Sequence, residues 1–186
     1  MRRGKITGIG FLRNVRMRAL IEYFIRLAFL KRGPQDLPSS PELFALLAVL
    51  SVLVGTANGT ALFGSARAAL GANLLDLGLT LVMLLVLLQY RGHAARWLQT
   101  ATAFLGLGVL AGCLMLFVRA PATSLGITEL AMLVDFVLAI WLHVALGGVL
   151  RHALGIPLLA GVVIVLSYTI MAFNLIARIF PPAIGT

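Results

Sequence analysis

The sequence has little acidic charge, a single cysteine and none of the usual motifs of soluble enzymes. Among its 186 residues there are only 6 Asp and Glu and 3 His, and the one cysteine is Cys113. A single cysteine excludes an intrachain disulfide, and the histidines are too far apart to have the spacing of a metal site. A phosphate-binding loop, a His-Glu-x-x-His pair and a Gly-x-Ser-x-Gly elbow are all missing. We therefore expect no enzyme activity, no cofactor and no metal ligand.

What the chain has in abundance is apolar side chains. They make up 61% of the residues, against 11% charged residues, and the mean hydropathy is +1.05. Soluble domains are about half apolar and about a quarter charged, so a soluble fold could not bury this much apolar surface. Five stretches have the length and composition of transmembrane helices, which need roughly 20 apolar residues. The predicted spans are residues 43–63, 74–90, 97–118, 130–150 and 156–176.

The segment before the first span, residues 1–41, is basic and contains an amphipathic helix pattern. Residues 17–30 place charged side chains on one helical face and apolar side chains on the other. This pattern fits a helix that lies on the membrane surface, and it equally fits a short helix packed under a transmembrane bundle. A proline-rich turn follows, in which Ser39 or Ser40 is predicted to cap the first span. The basic residues predicted to meet anionic lipid headgroups are Arg18, Arg26, Lys31 and Arg32.

The predicted fold class is therefore all-α. It is a polytopic membrane helical bundle of about five transmembrane helices, preceded by an interfacial amphipathic helix. The chain divides into a cytosolic basic segment with the interfacial helix and turn (residues 1–41), a transmembrane domain (residues 42–180) and a short outer tail (residues 181–186). Because the connecting loops are short, consecutive spans are expected to be antiparallel neighbours.

Lysine and arginine are distributed unequally between the two sides of the predicted bundle. Nine precede the first span, two lie in residues 91–96 and one is Arg151, whereas only Arg67, Arg119 and Arg178 lie on the opposite side. This excess predicts that the N-terminus is cytosolic and the C-terminus outside. Basic residues confined to one terminus and to loops do not form a nucleic-acid groove. A composition rich in Leu, Ala, Gly and Arg indicates a bacterial gene, and hence the bacterial inner membrane.

A second group of polar residues is expected at the outer ends of the spans. Asp76 and Asp135 fall at similar depth there, and a charge inside the membrane costs about 2.5–3.5 kcal/mol on insertion scales unless it is paired. The cluster has two interpretations: a vestibule or an ion or proton site, or helix-end residues whose hydrogen bonds stabilise the bundle. The deeper His143 is interpreted as a packing histidine. The predicted outer polar cluster consists of Asn58, Asp76, Arg119, Asp135, Asn174 and Arg178.

One known family has a similar layout. Residues Arg26–Pro41 read RLAFLKRGPQDLPSSP, a basic lead followed by a proline-rich turn, and Leu43–Phe63 is the first of five spans. This arrangement resembles small bacterial membrane proteins of the Yip1-domain type. The Asp-Leu-Tyr-Gly-Pro motif of eukaryotic members is absent, so no site residue is carried over. The resemblance implies membrane organisation or partner binding rather than catalysis.

Two functions follow as expectations. The preferred one is a non-enzymatic integral inner-membrane protein that scaffolds or modulates a membrane-protein partner, or forms a homo-oligomer, through its basic interfacial helix and its helix faces rich in small residues. The alternative is a small transporter or channel subunit that uses the outer polar cluster. The first depends on the charge of the N-terminal segment, and the second depends on whether the polar cluster lines a cavity.

Overall fold

A computed structural model describes residues 17–183 of the chain. The predicted basic tail, residues 1–16, and the last three residues of the predicted outer tail lie outside the described residues. The described range contains helices and no strand, so the all-α prediction is confirmed. Short 3-10 turns at Pro34–Asp36 and Ala94–Arg96 join some of the helices. The helices are α1 (Met17–Ala28), α2 (Pro41–Phe63), α3 (Ala66–Tyr90), α4 (Trp97–Ser124), α5 (Thr128–Leu154) and α6 (Leu158–Ile179).

Five long helices, α2 to α6, have the length and apolar composition needed to cross a membrane. Several are longer than the predicted spans. The largest difference is at α3, which begins at Ala66 because Ser65 caps it: the Ser65 hydroxyl accepts from the Ala68 N–H at 3.2 Å. Gly64, with φ of 72°, ends α2 in the left-handed conformation, so the chain reverses within two residues. Residues 66–73, which precede the predicted second span, are thus themselves helical.

The five long helices form a closed arrangement. Helix α2 packs against α3 and α4, α4 packs against α5, α5 packs against α6, and α6 returns to contact α3. We call the end where α2, α4 and α6 begin the basic end, because Arg91, Arg96 and Arg151 lie there, and the other end the far end. Fully buried side chains fill the bundle towards the basic end, among them Leu84, Leu88, Leu107, Val149 and Leu150.

The short helix α1 packs against α4 and α5 at the basic end of the bundle. Phe24 and Leu27 are buried, and the Phe24 ring lies directly on Gly106, where a β-carbon would overlap it. A second apolar row, formed by Ile21 and Ile25 of α1 and by Phe29 directly after it, stays exposed. Helix α1 therefore has one face packed under the bundle and another left open, which agrees with the packed alternative and leaves the interfacial location a prediction.

The turn after α1 is held by polar contacts. The Tyr23 hydroxyl donates to the Gly33 carbonyl at 2.7 Å, and the Gln99 side chain donates to the Leu37 carbonyl at 2.7 Å. Burial raises the pKa of the Tyr23 phenol above its usual range. Leu30 has a φ of 60°, a strained value for leucine, and its side chain packs against Gly148 of α5. Ser40 then caps α2 by accepting from the Leu43 N–H at 3.1 Å, as one of the two predicted caps.

Helices α5 and α6 cross at two glycines near the basic end. A β-carbon on Gly161 would collide with the backbone of Gly147, so the two backbones are in direct contact. Small residues allow this close approach between membrane helices, where packing replaces the hydrophobic effect. The crossing holds α5 and α6 together at the basic end.

Candidate functional site: a cavity in the far half of the bundle

The ring of helices encloses a cavity of about 690 Å³. Its lining reaches the far ends of α2, α4 and α6, at Phe63, Arg119 and Ile176. Towards the basic end the packed core, with Leu84 and Leu107 fully buried, closes it. Among the side chains that the structure describes, helix α5 contributes Leu142, His143 and Leu146, all from its second half. The cavity therefore lies mainly in the far half of the bundle, reaches past the middle along α4 and α5, and is blocked at the basic end by the packed core.

The wall between α3 and α6 carries a set of hydrogen-bonded polar groups. The Thr80 and Tyr168 hydroxyls lie 2.8 Å apart, and the Tyr168 hydroxyl also donates to the Asp76 carbonyl at 3.4 Å. Asn73, Asp76 and Thr80 are spaced three and four residues apart, so they share one face of α3. All of these groups line the cavity. They link α3 to α6 and present polar atoms to an otherwise mostly apolar space.

Within the part of the chain that the structure describes, Asp76 is the one carboxylate on the cavity lining. Its side chain is exposed although the ring of helices surrounds it, because it faces open space in the cavity. The ion pairs formed among the described residues are Arg26–Glu22 and Arg119–Asp135, and neither involves Asp76. A carboxylate within a membrane bundle normally has a cation partner, since an unpaired charge there is costly. Asp76 thus brings to the cavity a carboxyl group that forms no ion pair with a described residue.

Arg119 and Asn58 form the opposite wall, between α2 and α4. The Arg119 guanidinium forms an ion pair with Asp135 of α5 at 3.0 Å and donates to the Asn58 carbonyl at 3.5 Å. The Asn58 amide donates to the carbonyls of Val54 at 2.9 Å and Gly112 at 3.1 Å. Its Oδ1 atom is buried and has no hydrogen-bond partner among the described residues. The wall joins three helices, and the charge of Arg119 is balanced by Asp135.

His143 lies where α5 meets α6, on the cavity wall. Its Nδ1 is 2.7 Å from the Ala139 carbonyl and its Nε2 is 3.2 Å from the Thr169 hydroxyl. Because a carbonyl oxygen only accepts, Nδ1 carries the proton in this contact. The Thr169 hydroxyl also lies 3.0 Å from the Val165 carbonyl, so its single proton serves one of two acceptors. His143 is hydrogen-bonded within the bundle, as a packing histidine would be, but it also faces the cavity.

The predicted outer polar cluster is divided between two places. Asn58, Asp76 and Arg119 line the cavity, and Asp135 joins them through its ion pair. Asn174 and Arg178 are exposed and do not line it; the Asn174 amide donates to its own helix, at the Ile170 carbonyl, at 2.7 Å. Both lie on the side of α6 opposite Val165, which faces the core. Similar depth in the membrane had suggested one cluster, but depth does not determine which way a side chain points.

The sequence interpretation did not select Thr80, Tyr168, Thr169 or His143 for the site. A signal for Thr80 exists in the spacing, because it continues the face of α3 that carries Asn73 and Asp76. For Tyr168 and Thr169, the only signal in the sequence was a polar side chain inside an apolar span. No group of three His, Cys, Asp or Glu side chains that could hold a metal ion occurs within residues 17–183.

The basic residues assigned to the membrane surface lie around α1. Arg26 is exposed and forms an ion pair with Glu22 at 2.6 Å. Lys31 and Arg32 are exposed beyond the end of α1. The side chain of Arg18 lies outside the described residues, although its backbone belongs to the helix. These positions leave three positively charged side chains accessible at the basic end.

Comparisons with known proteins find no matching family model, no matching curated protein and no matching solved structure. Function is therefore inferred from the site. A mostly apolar cavity of about 690 Å³ with a few convergent polar groups is the usual form of a small-molecule site, which typically measures roughly 300–1,000 Å³.

Proposed function

We propose that the protein binds a small solute in this cavity, as a small membrane transporter or as the solute-binding subunit of one. The observation that carries the proposal is the cavity of about 690 Å³ with Asp76 unpaired on its wall. A bundle held together only by helix packing would have no reason to keep a carboxylate facing open space. The proposal is non-enzymatic, because the polar groups of the lining serve as hydrogen-bond partners between helices rather than as a nucleophile and its base.

The proposed location is the inner membrane of a bacterium, with the basic end in the cytosol. The twelve Lys and Arg residues on that side, against three on the other, support this orientation. The far half of the bundle, and with it the cavity, would then face outward. The protein would take up its solute from the outer side while the packed core closes the cytosolic side.

The scaffold remains a second candidate, favoured by the surface of α1. Ile21, Ile25 and Phe29 form an exposed apolar row beside the exposed Arg26. Such a row can lie in anionic headgroups or contact a membrane-protein partner. This candidate agrees with the Yip1-type resemblance, which likewise stays a proposal, and a homo-oligomer is compatible with either function.

The test of the cavity is its accessibility to water-soluble thiol reagents. In a Cys113→Ala background, we expect a charged, membrane-impermeant methanethiosulfonate added from outside to label Asn73→Cys and Thr80→Cys. Val82→Cys is the matched control, because Val82 lies on the same helix with 59% of its surface exposed on the outside of the bundle. If Asn73→Cys and Thr80→Cys react no faster than Val82→Cys, the proposal of an outward-open solute cavity is wrong.

A further inference from the structure

We infer that the solute is an organic cation, an ammonium group carried on an apolar body, and that Asp76 is its counter-charge. This inference rests on the proposed function of the cavity and specifies its ligand. It is carried by the charges of the lining, by the apolar surface of the cavity, and by the small number of oxygen atoms near Asp76.

The charge balance of the cavity favours a cation. Its lining contains Asp76 and Arg119 as the charged residues and His143 as a further titratable one. Arg119 is held by Asp135 at 3.0 Å, and His143 has hydrogen-bond partners at both ring nitrogens. Of the two charged residues on the described lining, only Asp76 forms no ion pair with a described residue. An anionic solute would meet an unpaired carboxylate, whereas a cation would neutralise it.

The surface around the carboxylate favours an apolar body on that cation. Most of the lining is apolar, and it includes the aromatic rings of Phe63, Phe104, Tyr168 and Phe173. Aromatic faces attract ammonium groups through the ring quadrupole, and they also bury hydrocarbon. A small amine with an aliphatic or aromatic body would fill such a space better than a strongly hydrated molecule.

A bare inorganic cation fits the site less well. Hard cations require six or more oxygen ligands in mutual reach. Near Asp76, the side-chain oxygens that the lining could add to its carboxylate are the Asn73 Oδ1 and the Thr80 and Tyr168 hydroxyls. One carboxylate with three neutral oxygens can neutralise an ammonium group but falls short of the shell that a hard cation requires.

The test compares two ligands of nearly the same shape that differ in charge. The probes are phenyltrimethylammonium and its neutral isostere tert-butylbenzene, with binding measured by ligand-observed NMR on the full-length protein in mild detergent. We expect the cation to bind wild-type protein more tightly than tert-butylbenzene does. Asp76→Asn should raise the Kd of the cation about tenfold or more, because a tenfold change in Kd corresponds to the loss of about 1.4 kcal/mol of binding free energy. Binding of tert-butylbenzene should be unchanged by Asp76→Asn.

Two further variants make the result specific. Glu129→Gln removes an exposed carboxylate at the far end that does not line the cavity, so cation binding should be unchanged. Asp76→Glu keeps the charge and should restore most of the binding. Equal affinity of both ligands for the wild type, or equal cation affinity of wild type and Asp76→Asn, would overturn the inference.

Labelling separates this inference from the proposed function. If Thr80→Cys is labelled from outside but cation binding does not depend on Asp76, the cavity stands and the ligand class is wrong. If Thr80→Cys is not labelled, the proposed function itself fails.

Nanodiscs of phosphatidylglycerol, with and without phosphatidylethanolamine, identify the source of the ammonium group. Competition by phosphatidylethanolamine would indicate a lipid ligand and its absence a dissolved amine, and both outcomes are consistent with a cation.

Discussion

The hydrogen bond between Thr80 and Tyr168 is the residue-scale contact that joins α3 to α6 within one wall of the cavity. It connects α3 to α6, which otherwise touch along a short contact. We expect Thr80→Val and Tyr168→Phe each to destabilise the bundle, with a coupling energy of about 0.6 kcal/mol in a double-mutant cycle, typical of hydrogen bonds between membrane helices. The measurement is the unfolding free energy in mixed detergent and SDS.

Thr60→Val is the control for this cycle. The Thr60 hydroxyl donates only within its own helix, to the Thr56 carbonyl at 2.8 Å, and the residue is exposed. The substitution should therefore leave α3–α6 packing intact, and its effect should not couple to Tyr168→Phe. Strictly additive effects of Thr80→Val and Tyr168→Phe would mean that the bond contributes nothing to the closure of the ring.

At the scale of elements, α5 and α6 cross with their backbones in direct contact. A β-carbon on Gly161 would meet the carbonyl, the carbonyl carbon and the α-carbon of Gly147, all of which are backbone atoms that cannot rotate away. We expect Gly161→Ala to force α5 and α6 apart and to cost about 1–3 kcal/mol of stability, the usual cost of overpacking. The unfolding midpoint in the same detergent assay measures this loss.

Gly78→Ala is the matched control for that substitution. Gly78 lies in the interior of α3, and a β-carbon there would have nothing within 4 Å. Alanine is the better helix former by about 1 kcal/mol, so this change should be neutral or stabilising. If Gly161→Ala proved as harmless as Gly78→Ala, the tight crossing would not be what holds α5 to α6.

Periodicity and hydropathy predict the helices well and their rotation poorly. The five long helices follow from apolar run length, which depends only on local sequence. Which face of each helix points inward depends on neighbours that the runs do not reveal. Asp76 and Asn174 show the difference: both were assigned to one cluster from depth, yet one lines the cavity and the other lies on the outside of α6.

The same limit applies to α1. Its amphipathic pattern is visible in the sequence, but the contact of Phe24 with Gly106 is not. The Phe24 ring fills the space left by the absent side chain of a glycine on another helix, and the sequence does not show which residue fills that space. The start of α3 at Ala66 was missed for a different reason: hydropathy reports where a helix is apolar, whereas the Ser65 cap determines where it begins. Small, weakly apolar residues can be helical without adding to a hydropathy peak.

Orientation in the membrane is the property of the whole molecule that decides which side the cavity serves. Twelve Lys and Arg residues lie on the basic side of the spans and three lie on the other side. An excess of this size near the ends of the spans directs the basic side to the cytosol. In a Cys113→Ala background, we expect a membrane-impermeant maleimide to label Ser124→Cys in intact cells.

Ser39→Cys is the counterpart at the basic end. Ser39 is exposed in the turn between α1 and α2, and Ser124 is exposed at the end of α4, so both thiols should react once the membrane is permeabilised. In intact cells Ser39→Cys should stay unlabelled. Labelling of Ser39→Cys in intact cells, with Ser124→Cys protected, would reverse the orientation. The cavity and Asp76 would then face the cytosol, and a cation would be bound for export rather than taken up from outside.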